Sequence, residues 1–265
     1  MEAFTIIQPT SPLAPYIKHY WLLKTVGLPG AAVRTVPTGM MSLIFHRSVR
    51  LLSLQAKEFQ PRAFLSGQDY TFADLSYEGQ VDMISVVFRP AGVRAFFRFP
   101  AILAAGERLD AGDMGDKSLS ELESRIAGCE SDGLAVSLIE TFLLERLTPP
   151  ASHNLHRLEA SLRLIHSGEN DIDRLAEAAC LSHKQFSRVF ADHIGTTPKE
   201  FARIIRFQRA LQQLEQQPEL LLTTLACDCH YYDQSHMIKE FKTLSGYTPR
   251  QYLATCPPHS DYFDN

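Results

Sequence analysis

No apolar run in the 265 residues approaches the roughly eighteen positions that a membrane-spanning helix needs. The opening stretch MEAFTIIQPTSPLAPY lacks a basic region followed by an apolar one, so neither a signal peptide nor a membrane partner is expected, and the expected location is the cytoplasm. The five cysteines (Cys129, Cys180, Cys227, Cys229 and Cys256) are an odd number without a framework spacing, and reduced thiols are the expectation. There is no Gly-rich phosphate loop, no paired-carboxylate motif and no constellation of nucleophile, base and orienting group, so catalysis is not expected and no cofactor is implied. Positive charge is not in excess either. Lys and Arg number 26 against 30 Asp and Glu, a net charge of −4, so any nucleic-acid partner must be met by the distribution of charge rather than its sum. A hydrophobic content of 45% suffices for one large or two modest globular domains.

What the chain does contain is one pattern written twice. LAEAACLSHKQFSRVFADHIGTTPKEF begins at Leu175, and LACDCHYYDQSHMIKEFKTLSGYTPRQY begins at Leu225. From Ser182 onward the offset between the copies grows by one residue, so that Phe186 matches Met237, Arg188 matches Lys239, Phe190 matches Phe241 and Gly195 matches Gly246. The extra residue is expected in the second turn. In the first copy Ile172, Leu175, Ala176 and Ala179 recur at helical spacing behind Asp171, an acceptor for free backbone N–H groups. Cys180 and Leu181 make a tight turn, and Ser182 caps a second helix. On that helix Phe186 and Phe190 point inward, while Lys184, Ser187, Arg188 and Ala191 form the opposite stripe. This is a helix-turn-helix. Its outward stripe suits a major groove, where Arg and Lys match guanine O6 and N7. The second copy repeats the logic with Met237 and Phe241 inward and Ser235, Ile238, Lys239 and Lys242 outward, with Gln234 near the helix start. Ile238 asks for an apolar partner that a thymine methyl would provide.

Between the copies, PKEFARIIRFQRALQQLEQQPEL starts at Pro198, a favoured first helical residue, and runs unbroken to Gln217 and Pro218. Phe201, Ile204, Ile205, Leu211 and Leu214 recur at helical spacing. The expectation is a rigid helix that holds two recognition helices at a fixed separation, so that one chain reads two successive major-groove segments.

Residues 155–253 resemble the DNA-binding domain of the AraC/XylS family of bacterial transcription regulators, on LAEAACLSHKQFSRVF, GTTPKEFARIIRFQRAL and YYDQSHMIKEFKTLSGYTPRQYL. The resemblance implies two helix-turn-helix units on one long helix, with double-stranded promoter DNA and RNA polymerase as partners and control of transcription, by activation or repression, as the outcome. Carried over position by position, it implies base-facing roles for Lys184, Ser187 and Arg188 and for Gln234, Ser235, Ile238 and Lys239; Lys242 joins them by its place on the outward stripe. Cys180 and His230 depart from the pattern, standing in turns where the family commonly has Gly, and an altered turn is expected at each. Residues 155–253 carry twelve Lys/Arg and twelve Asp/Glu, so moderate, salt-sensitive DNA affinity is expected.

The N-terminal half reads as short strands. HYWLLKT, MSLIFHR, RLLSL, RAFLSG, YTFADLSY and VDMISVVFR are rich in β-branched and aromatic residues and punctuated by Pro, Gly and Ser. A short helix and an irregular connection follow in PAGVRAFFRFPAIL, then amphipathic helices in KSLSELESRIAG and GLAVSLIETFLLERL. More weakly, VPTGMMSLIFH and VVFRPAGVRAFF resemble the β-rich regulatory domains that precede this DNA-binding domain in many family members. The expected fold is α+β multidomain. A β-rich sandwich or barrel-like domain with flanking helices occupies 1–147, followed by a linker at 148–154, an all-α double helix-turn-helix domain at 155–253 and a tail at 254–265.

Several residues admit two readings. His19, Trp21, His46, Tyr70, Phe72, Tyr77 and Phe88 line a pocket for a small-molecule effector or are core and strand-surface aromatics. Cys227, Cys229 and His230 carry zinc-ligand chemistry but lack a second pair at finger spacing, so no metal is expected. Arg203, Arg206 and Arg209 contact phosphates or pack within the linking helix. The apolar faces Leu119, Leu122, Ile126 and Leu134, Leu138, Ile139, Phe142, Leu143 either cover the sheet or form a homodimer contact. A different class, a DNA-modifying or repair-type enzyme using the helix-turn-helix units for DNA delivery, requires a reactive thiol, for which Cys129 is the candidate in the N-terminal half.

Overall fold

The computed structural model describes residues 3–27, 30–149 and 152–255. Of the expected tail, positions 256–265, Cys256 among them, lie outside the described residues, as do 150 and 151 of the expected linker.

The two longest alternating runs form β2 (Ile17–Gly27) and β9 (Gly79–Phe88), antiparallel neighbours in one sheet. With β1 (Ala3–Ile7), β4 (Ser42–His46), β7 (Ala63–Ser66) and β10 (Arg108–Asp110) they make six strands in the order β1-β2-β9-β4-β7-β10. A second sheet has β3 (Ala32–Thr35), β5 (Leu52–Ser53), β6 (Glu58–Phe59) and β8 (Ala73–Ser76) in the order β3-β8-β5-β6. Because successive side chains alternate between faces, the large sheet has two cores. Tyr20, Leu22, Ile84, Val86 and Phe88 face one side, where α1 (Lys117–Ala127) and α2 (Asp132–Arg146) pack. Trp21, Leu23, Val81, Met83 and Val87 face the other, toward Leu51 and Leu75 of the second-sheet side. The N-terminal part is thus helices, sheet and sheet in three layers.

Both expected helical faces are consumed in covering the sheet. Leu119, Leu122 and Ile126 are buried there, as are Ile139, Phe142 and Leu143. Leu134 is the exception. It is exposed, and Ala135 and Val136, one turn before Ile139, occupy the face in its place. The stretch after Pro90 forms two short 3-10 turns, Gly92–Ala95 and Ala101–Ala104. Between the two sheets lies a cavity of about 130 Å³ whose lining includes Trp21, Met40, Leu75, Ser85 and the ion pair Asp69–Arg108. Of the side chains weighed for such a pocket, Trp21 lines it; Phe88 belongs to the opposite core, and Phe72 lies beneath the Arg34 guanidinium.

The helical part begins with α3 (Ser152–His166) and continues with α4 (Ile172–Ala178), α5 (His183–Ile194), α6 (Pro198–Gln216), α7 (Leu222–Asp228), α8 (Gln234–Ser245) and α9 (Pro249–Thr255). Local signals fix the ends. Asp171 accepts from the N–H groups of Asp173 and Arg174, Ser182 and Gln185 form a reciprocal capping box, and Thr197 caps α6 ahead of Pro198. Helix α6 serves two cores. Its first half puts Phe201, Ala202 and Ile205 among Leu175, Phe186 and Phe190; its second half puts Phe207, Ala210, Leu211 and Leu214 among Leu225, Met237 and Phe241. The rings of Phe190 and Phe201 are 5.6 Å apart and those of Phe207 and Phe241 5.0 Å. One helix of 19 residues, about 28 Å at 1.5 Å per residue, therefore joins two otherwise separate units.

Candidate nucleic-acid interface

Each unit is a helix, a turn and a second helix, α4 with α5 and α7 with α8. The turns show what the two departures from the family pattern do. Cys180 has φ 51° and His230 φ 58°, the left-handed region that Gly adopts without cost. In both turns the backbone closes in the same way. Cys180 N–H donates to Glu177 O and Leu181 N–H to Ala176 O, at 2.8 and 3.0 Å; His230 and Tyr231 repeat this on Cys227 and Ala226, at 3.0 and 2.9 Å. The altered turns expected from the sequence are not found: the left-handed geometry is kept, and the non-glycine residues bear the strain. Because Cys180 is exposed, Cys180→Gly is expected to stabilise the protein by about 0.5–1 kcal/mol, read as a raised denaturation midpoint. An unchanged or lowered midpoint would contradict this. The second turn is one residue longer than the first, as the sequence offset requires.

The outward stripes reach solvent. Lys184, Arg188, Ser235, Lys239 and Lys242 are exposed, and Ser187, Gln234 and Ile238 are half-buried, Ile238 resting partly on the core of its own unit. The neutral charge balance resolves at this level. Besides Lys184 and Arg188, α5 carries one acid, Asp192, which is half-buried near Arg94 (3.5 Å) and His193 (3.2 Å). Besides Lys239 and Lys242, α8 carries one acid, Glu240, which is 7% exposed. Every exposed Lys, Arg, Asp or Glu on the two second helices is therefore a cation.

Glu240 also settles two of the arginines. The Arg206 guanidinium meets its carboxylate with two bonds of 3.0 and 2.6 Å, and Arg203 lies at 3.4 Å. The Arg206 guanidinium sits 4.7 Å over the Tyr231 ring. Arg209 donates to the His166 carbonyl. These contacts fasten α8 and α3 to α6. Glu240 was not singled out in the sequence, although it lies three residues after Met237 and four before Leu244 on the inward stripe, where an acid needs a cation. Tyr232 was also missed; it stands in the turn ahead of α8 and is 92% exposed.

Cys227 is exposed and Cys229 buried, the latter with Sγ 3.5 Å from Gln213 Oε1 and its thiol pushed up to about 11 by burial. Among the described residues no group of three His, Cys, Asp or Glu is placed to hold a metal ion. Cys129 sits half-buried against the core beneath α1 and α2. Among the described residues no helix is long and apolar enough to cross a membrane.

A β-rich domain is thus followed by two helix-turn-helix units that share one long helix. Residues 175–255 match the family described as a helix-turn-helix domain, and residues 5–110 match a domain of unknown function, DUF6597. An uncharacterized HTH-type transcriptional regulator of Haemophilus influenzae is 34% identical over 95 residues, which are 35% of this chain and 32% of that protein. The HTH-type transcriptional regulator CdhR of Pseudomonas aeruginosa is 25% identical over 174 residues, 60% of this chain and 48% of that protein. The chain thus spans less than half the length of either relative. Among solved structures, ToxT from Vibrio cholerae aligns over 89% of this chain and 97% of its own with 11% identity and a TM-score of 0.47. The C-terminal part thus holds two helix-turn-helix units on one long helix within the stretch that matches the helix-turn-helix domain family.

Proposed function

We propose that this protein is a sequence-specific DNA-binding transcription regulator in which the helical part at 155–253 reads DNA and the β-rich part at 1–147 regulates it. The observation that carries this reading is that the exposed charges of α5 and α8 are all cationic in a domain whose Lys/Arg and Asp/Glu balance. In the proposed complex Lys184, Ser187 and Arg188 enter one major-groove segment, and Gln234, Ser235, Ile238, Lys239 and Lys242 the next, with Tyr232 reaching a phosphate. The relatives' description as transcriptional regulators supports the reading. Cytoplasmic location, recruitment of RNA polymerase and activation are parts of the proposal, and the cavity between the sheets is the place for a small-molecule effector. A homodimer would have to use another surface than the faces of α1 and α2 that cover the sheet.

The test is selection of bound duplexes from random DNA, followed by substitution. Arg188→Ala is expected to weaken the selected site by about 1–3 kcal/mol and relax preference for guanine at one position. Uniform weakening across all sequences would reassign Arg188 to phosphate contact, and failure to select any sequence would overturn the reading.

A further inference from the structure

The last carbonyls of an α-helix have no partner within it and are met by caps or water. In α5 and α8 they are met from the other domain. Gln68, 2% exposed, donates through Nε2 to the carbonyl of Ile194, the last residue of α5, at 3.0 Å. The same amide donates to Gly39 O at 3.0 Å. At the end of α8, Arg34 donates to Ser245 O at 3.2 Å and Thr71 Oγ1 to Thr243 O at 3.0 Å. Arg34 is itself fixed. It forms two bonds with Asp74, at 2.7 and 2.9 Å, and lies between the Phe72 and Tyr247 rings at 4.1 and 4.2 Å. Its cation also suits the negative end of the α8 dipole.

The glycines that follow the two helices occupy matched places in the repeat, and both are pressed against the β-rich domain. A Cβ on Gly195 would lie 3.1 Å from Ala101 O and Met41 Sδ; one on Gly246 would lie 2.4 Å from Arg34 Nη1. A third anchor falls on α6 between them. Gln208 Nε2 donates to Pro37 O at 2.6 Å, and a Cβ on Gly39 would stand 3.2 Å from Ile205 and 3.3 Å from Phe201. A lone helix can curve, whereas one braced at its middle and through both attached units cannot do so freely.

We propose that the β-rich domain sets the spacing between DNA half-sites that this protein accepts, with Arg34, Gln68, Thr71 and Gln208 as positioning residues that hold α5, α6 and α8 in one frame. This rests on the reading of α5 and α8 as the DNA-contacting helices. It adds that the spacing rule is stored in residues that touch no DNA.

The experiment uses the full chain and the duplex that it selects from random DNA, with the distance between the two protected segments changed by one or two base pairs. Simultaneous engagement is lost when the frame no longer matches, so wild-type affinity is expected to fall by about a hundredfold. Gln68→Met, Thr71→Val and Gln208→Met remove the donors while keeping size. Their combination is expected to cut the spacing penalty to about tenfold or less, while affinity for a duplex with one segment stays within about twofold. Thr71→Val alone, an exposed and mild change, carries the same test in smaller measure if the combined variant does not fold. A wild-type penalty below tenfold, or an undiminished penalty in the folded variants, overturns the proposal and leaves DNA reading intact. No selected sequence at all overturns DNA reading and the spacing rule together.

Discussion

Glu240→Ala is expected to destabilise the protein by about 3–5 kcal/mol, because it leaves the Arg206 guanidinium half enclosed without the carboxylate that compensates it. The cost is not the worth of the pair. Arg206→Met combined with Glu240→Leu is expected to be milder than Glu240→Ala alone, since neither partner then leaves a charge behind. Denaturant melts of the three proteins measure both differences. A loss below about 1 kcal/mol for Glu240→Ala would mean that water reaches Arg206 and that the pair does not hold α8 to α6.

The second large effect concerns the helix that both units share. Gln208→Pro removes a backbone donor from the middle of α6 and drives a ring into the preceding turn, at a cost of about 3 kcal/mol or more. It also removes the Gln208 bond to Pro37. Since Phe201, before the break, and Leu211, after it, belong to different cores, each unit can keep its own packing while losing its relation to the other. Footprinting on the selected duplex should therefore show protection of both segments abolished, whereas Gln208→Met keeps the helix and retains protection. A folded Gln208→Pro protein that protects both segments normally would show that the halves bind independently.

The C-terminal domain was legible in the sequence because its signals are local and repeated. Asp171, Ser182 and Pro198 each mark a helix start within a few residues, and the matched pairs Phe186/Met237 and Phe190/Phe241 point inward in both copies. The six strand phrases each contain an observed strand for the same reason, whereas β1, β3, β6 and β10 were not foreseen: none is longer than the five residues of β1, and β3 and β10 pair with β8 and β7 far along the chain. Leu134 was misplaced because α2 is apolar around much of its girth, and spacing alone did not choose between adjacent faces. The contacts between the domains were not legible at all. Gln68 to Ile194 and Thr71 to Thr243 join single polar side chains in loops to carbonyls 126 and 172 positions away, and no periodicity announces them. The arginines of α6 were left undecided because a helical position shows that Arg206 can reach outward but not that Glu240 lies waiting beneath it.

Residues 36–41, which belong to no strand, form a thin partition between the cavity and the helices α5 and α6. Thr38 and Met40 line the cavity, while the Pro37 carbonyl, Gly39 and Met41 lie against α6 and the end of α5. The chain does not run straight through this partition: it bends at Gly39, whose φ is 74°, and Thr38 Oγ1 accepts from the Met40 N–H at 3.0 Å across the bend. A side chain at position 39 would press on Ile205 and Phe201 of α6, and the residues directly before and after it are two that line the cavity. Any displacement of Thr38 or Met40 is thus passed to α6 through the residue between them, and the cavity wall and the footing of the shared helix are one piece of chain.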